Sequence, residues 1–73
     1  MKPTIGRIVI YHFHSSEFGE NNNSSDAPAV IVHVWSDICV NLKVLNDGQN
    51  NSWKTSVTTG DGPNQWSWPV INK

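Results

Sequence analysis

Cysteine is nearly absent from this sequence: among 73 residues only Cys39 carries a thiol. One cysteine forms no bridge within a chain and no cysteine-based zinc site, and its scarcity fits a reducing compartment. Charge is sparse as well, with six acidic residues, five basic ones and a formal net charge of −1. Lys2, Arg7, Lys43, Lys54 and Lys73 are scattered along the chain. They form no basic face of the kind that releases counterions from duplex phosphates, so duplex nucleic acid is not an expected partner. No apolar run approaches the ~18–20 residues that cross a bilayer, which excludes a membrane-spanning helix. The opening Met1-Lys2-Pro3-Thr4 leads into alternation and not into the apolar block of a signal peptide, so the expected location is the cytoplasm. Helical periodicity is missing throughout.

What is present is strand-like. Ile5 to Phe13 is β-rich, with Ile5, Val9, Tyr11 and Phe13 on one face and Gly6, Ile8, Ile10 and His12 on the other. Apolar groups on both faces predict a strand covered on both sides. Residues 15–27, containing Asn21-Asn22-Asn23-Ser24-Ser25, are polar and aperiodic and read as a flexible loop. Ala29–Trp35 and Ile38–Leu45 are the strongest strands, separated by a break short enough for a tight hairpin. Ile38, Val40, Leu42 and Val44 form one face of the second; Cys39, Asn41 and Lys43 form the other. Asp47-Gly48 marks a reversal, Trp53–Thr58 a fourth strand with Trp53, Thr55 and Val57 on one side, and Gly60–Pro63 another turn. Gln65–Val70 is the last strand, with Trp66 and Trp68 on one face. The expected fold is all-β: one domain over residues 1–73, a small five-stranded antiparallel SH3-like barrel.

Few residues could carry chemistry. His12 and His14 share a strand face, and with His33 they would hold zinc if their ring nitrogens met the metal at about 2.0–2.1 Å. The plainer reading is a polar strand end, and no metal site is expected. Cys39, His33 and Asp37 are close enough in sequence to test as a nucleophilic set. A cysteine within an apolar strand is usually inert, however. No glycine-rich phosphate loop or paired-carboxylate motif is present. Catalysis is therefore not expected, and neither is a cofactor. Four tryptophans are the distinctive feature: Trp35, Trp53, Trp66 and Trp68. Some must complete so small a core, while any that stand exposed offer platforms for stacking planar ligands or anchors for a protein interface.

Read together, several blocks resemble a family of small accessory proteins encoded by tailed bacteriophages. The blocks are Gly6-Arg7-Ile8-Val9, Pro28-Ala29-Val30-Ile31-Val32, Val34-Trp35-Ser36-Asp37, Cys39-Val40-Asn41-Leu42, Asp47-Gly48, Trp53-Lys54-Thr55-Ser56-Val57 and Trp66-Ser67-Trp68-Pro69. The resemblance implies an accessory protein acting in the infected host cell, and it carries no catalytic residues with it. Size and context, by analogy, imply sequestration of a nucleotide-derived immune signal in a homo-oligomer. Trp35, Trp53, Trp66 and Trp68 are then the expected stacking groups. Arg7, Lys54 and the turn amides of Asp47-Gly48 or Gly60-Asp61-Gly62 are the expected phosphate partners. The alternatives are a module that binds a host protein or acts in phage assembly, and a single-stranded nucleic-acid binder.

Overall fold

The computed structural model describes residues 2–70. Five strands close into a small SH3-like barrel in the order β1 (Ile8–His12), β2 (Asp26–Val34), β3 (Cys39–Val44), β4 (Ser52–Thr59) and β5 (Gln65–Ser67). Neighbouring strands run antiparallel, with one difference from expectation: β4 meets β5 in parallel, and only at Thr58↔Gln65 and Thr59↔Trp66. No described helix is long and apolar enough to cross a membrane.

β1 starts later than its composition predicts. Thr4–Arg7 forms a turn closed by Arg7 N–H on the Thr4 carbonyl at 3.2 Å, with Gly6 at φ 93°. Such a φ suits glycine and not a side chain with a Cβ. Ile5 therefore stays in solvent, apart from Val9, Tyr11 and Phe13. The second face is not covered either, since Ile8 is exposed and Ile10 and His12 are only half-buried.

Residues 15–27 were expected to lack regular structure, yet Ser15–Asn21 forms a 3-10 helix. The His14 ring nitrogen accepts from the Ser16 amide at its start, and Asn22 and Asn23 end it at φ 50° and 64°. Asparagine tolerates that left-handed backbone. The Asn21 side chain is buried and works as a strut. Its Nδ2 donates to the carbonyls of Ser24 and Asp26, and its Oδ1 accepts from the Asp47 amide at 2.6 Å. One amide thus ties the helix to β2 and to the β3–β4 turn.

The expected hairpin between β2 and β3 is present, closed by Trp35 N–H on the Cys39 carbonyl at 2.9 Å. Ile38 falls inside the turn and is exposed, so it does not join Val40, Leu42 and Val44 on the buried face. In β4 the expected alternation breaks. Val40 pairs with Val57 and Leu42 with Lys54, which leaves Thr55 and Ser56 together opposite Asn41. Ser56 takes φ 56° at this bulge. The extra residue inverts the alternation, as bulges do. Val57 consequently points inward, while Trp53 and Thr55 point out.

The core gathers Val9, Tyr11, Phe13, Ala27, Ala29, Ile31, Val40, Leu42, Val44, Val57 and Trp66. Tyr11 meets Phe13 edge-on with centroids 5.1 Å apart. Trp66 fills the middle and satisfies its indole N–H on the Val57 carbonyl at 3.1 Å.

Candidate functional site

The four tryptophans divide into two pairs. Trp66 is 1% exposed, so its ring faces are core and present no stacking platform. Trp68, expected beside it in a strand to Val70, lies past the end of β5 and packs edge-on against Trp66 at 5.3 Å. Its ring is half-buried against the core. Trp35 and Trp53 are the exposed pair, at 59% and 58%.

Trp35 is held in place although it is exposed. Its indole N–H donates to Asn41 Oδ1 at 2.9 Å, and its ring stands against His33 with centroids 4.3 Å apart. The same Oδ1 accepts from Thr55 Oγ1 at 2.9 Å and from the Ser56 amide at 2.8 Å. Asn41 is therefore a hub that links the end of β2 to the β4 bulge. Sequence reading gave it no role, since an asparagine on the polar side of a strand carries no signal of burial. Trp53 lies across from Lys43 on the same outer face, at the end of the cross-strand row Ile8, Val30, Lys43, Trp53.

The expected phosphate partners are placed differently. Lys54 faces inward opposite Leu42 and donates to Glu17 Oε2 at 2.6 Å. Its ammonium also lies 5.8 Å from the centre of the Tyr11 ring. Burial pulls the Lys54 pKa down, but the hydrogen bond to Glu17 and the neighbouring Tyr11, Glu17 and Glu20 outweigh it and leave the value raised. Desolvation raises the Tyr11 pKa, against the pull of Lys54. The Lys54 charge is thus compensated within the fold. Arg7 sits beside Ile8 at the start of β1, at the far end of the row from Trp53, with Nε on Thr4 Oγ1 at 3.4 Å. The turn amides also have internal acceptors: Asp47 on Asn21, Gly48 on Asn46, Gly60 on Trp66 and Gly62 on Gln65.

Two concavities adjoin β4, and Trp53 lines the first of them. A groove of ≈ 390 Å³ runs between β4 and the β1–β5 side, lined by Tyr11, Trp53, Lys54, Thr55, Ser56, Val57 and Asn64. The Tyr11 hydroxyl donates to Asn64 Oδ1 at 2.9 Å along its wall. A polar hollow of ≈ 490 Å³ lies between the 3-10 helix and the β3–β4 turn. Its lining includes Glu20 and Asp47 but no cationic side chain, the wrong sign for a phosphate.

The histidines do not converge. His14 bonds Ser16, His33 stands against Trp35, and His12 lies between Asp26 and Ser67. Among the described residues no group of three His, Cys, Asp or Glu is placed to hold a metal. Cys39 is half-buried in β3, with its backbone paired to Thr58 and not to His33 or Asp37. A different constellation has the connectivity of a nucleophilic triad: Asp26 Oδ1 lies 2.9 Å from His12 Nδ1, and Ser67 Oγ lies 2.8 Å from His12 Nε2. Such a triad also needs amide donors aimed at a developing oxyanion. Here the nearby amides of Gly60, Gly62 and Asn64 already have acceptors. The Asp61 carboxylate, 4.0 Å from Nε2, adds negative charge beside this row. What this row does in the fold is clasp β2, β1 and β5 together through one imidazole. Comparison with protein-family models, curated proteins and solved structures gave no match for the chain.

Proposed function

We propose that this chain is a non-catalytic binding protein that takes a planar, ring-bearing ligand on the outer face of β2, β3 and β4, with Trp35 and Trp53 as stacking groups. The observation that carries the reading is that both indoles are more than half exposed. One of them is already fixed through Asn41. Preorganised aromatics lose little freedom on binding. Lys43, opposite Trp53, offers a cation to an anionic ligand group. A nucleotide combines both features, a base for the indole and a phosphate for the lysine. Joined to the resemblance to tailed-phage accessory proteins, the reading becomes sequestration of a nucleotide-derived immune signal inside the infected cell.

The test is calorimetry and tryptophan fluorescence against a panel of cyclic and linear nucleotides, with mass spectrometry of the recovered ligand. Stacking contributes about 1–3 kcal/mol per base, so Trp53→Ala or Trp35→Ala should weaken binding roughly tenfold or more. The ligand should return unchanged. No binding across the panel, or turnover of any member, would sink the proposal. A second reading, a module that binds a host protein or a phage assembly component, is favoured by further apolar side chains in solvent: Ile5, Ile8, Val32 and Ile38. It is distinguished by saturable binding to one purified protein that is lost in the same tryptophan variants.

A further inference from the structure

Among the described residues, β4 is paired on one side only from Ser52 to Val57. β3 takes that side, whereas β5 reaches β4 only at Thr58 and Thr59. The contact with β5 stops because Asn64 turns away at φ 61°, with its amide on the His12 carbonyl at 2.7 Å. Strand edges with open N–H and C=O groups are templates for another strand, and proteins guard them with charge or with bulges. Both guards are weak here. Lys54 lies in the middle of the open run, but Glu17 holds its ammonium. The Thr55–Ser56 bulge lies at the far end, which leaves Ser52–Lys54 regular. Beside that edge stands Trp53, more than half in solvent.

We infer that the β4 edge pairs with the β4 edge of a second copy of this chain, antiparallel about a two-fold axis across Ser52–Lys54. An antiparallel edge is complementary to itself, so a second copy presents the matching row of donors and acceptors without any further sequence requirement. A net charge of −1 puts little repulsion between copies. A core this small also gains more than most from added burial. The pairing carries Trp53 of both copies to the joint, where the two indoles flank one shared cleft continuous with the groove beside Tyr11. Dimerisation is measured without ligand, so it and the nucleotide reading fail independently.

Sedimentation velocity on the full chain from micromolar to millimolar concentration, with hydrogen exchange of the β4 amides, tests the inference. The expected result is a species of twice the 8.2 kDa chain mass, with amides in the Ser52–Lys54 run that become protected as concentration rises. Trp53→Glu brings two carboxylates together at the axis. It should return the protein to the single-chain mass and expose those amides while leaving its circular dichroism unchanged. If that variant unfolds, the wild-type dilution series alone decides, through loss of β4 protection in step with dissociation. A single-chain mass at every concentration overturns the inference, including the case in which an added extended peptide occupies the edge instead. So does a dimer whose β4 amides exchange freely, which would place the interface elsewhere.

Discussion

The β1 side of the barrel and the outer run of β4 end in opposite conditions. β1 is paired on both edges, to β2 along its whole length and to β5 from Ile10 to His12. The His12 imidazole spans all three strands, and Trp66 lies beneath them in the core. β4 has an inserted residue, one partner strand for most of its length, and an indole turned out to water. A tryptophan next to a strand turn is therefore core or surface according to backbone register, not composition. The half of the barrel with doubled pairing covers the buried Trp66, and the half with single pairing leaves Trp53 in water.

The largest expected effect tests that division directly. Trp66→Ala should cost about 3–5 kcal/mol in denaturant unfolding, the usual range for emptying a buried aromatic site. Trp53→Ala should stay within about 0.5 kcal/mol, as surface substitutions do. Equal losses would mean that the two tryptophans are not divided between inside and outside.

Next in size is the hub that sets the register of the open half. Asn41→Ala leaves Trp35 Nε1, Thr55 Oγ1 and the Ser56 amide without their shared acceptor. Water can reach some of these groups, so the expected loss is about 1–3 kcal/mol. It should come with a red-shifted, more quenchable Trp35 emission. Full stability with unchanged fluorescence would show that the bulge does not depend on this side chain.

The smallest effect concerns the ion pair of Glu17 with Lys54, a lining residue of the groove. Lys54→Met should destabilise by on the order of 1 kcal/mol, since the ion pair is only partly shielded from solvent. The pH dependence has a definite sign. The folded protein holds the Lys54 and Tyr11 protons more tightly than the unfolded chain, whose values stay near 10.5 and 10.0. Their contribution is fully present below pH 10 and is lost as pH rises through the raised folded values. Thermal melts should fall more steeply above pH 10 in wild type than in Lys54→Met. Parallel curves would remove Lys54 from the account.

Much of the fold was legible from local chemistry. The Val40, Leu42 and Val44 alternation, the short break after Trp35 and the Asp47-Gly48 reversal each act within a few residues, and each lies where its pattern predicts. The site was less legible, because its decisive contacts join distant segments. Lys54 finds Glu17, Tyr11 finds Asn64, and Asn21 finds Asp47 across the β3–β4 turn. No periodicity in one segment reports a partner in another.

By itself the sequence determined a five-stranded β chain rich in tryptophan, because side-chain alternation and turn propensity are local properties. Only the tertiary structure decided which indoles face water, which lysine is already neutralised and which strand edge stays open. Those outcomes depend on one bulge at Ser56 and on where β5 stops, and both are set by what packs against them.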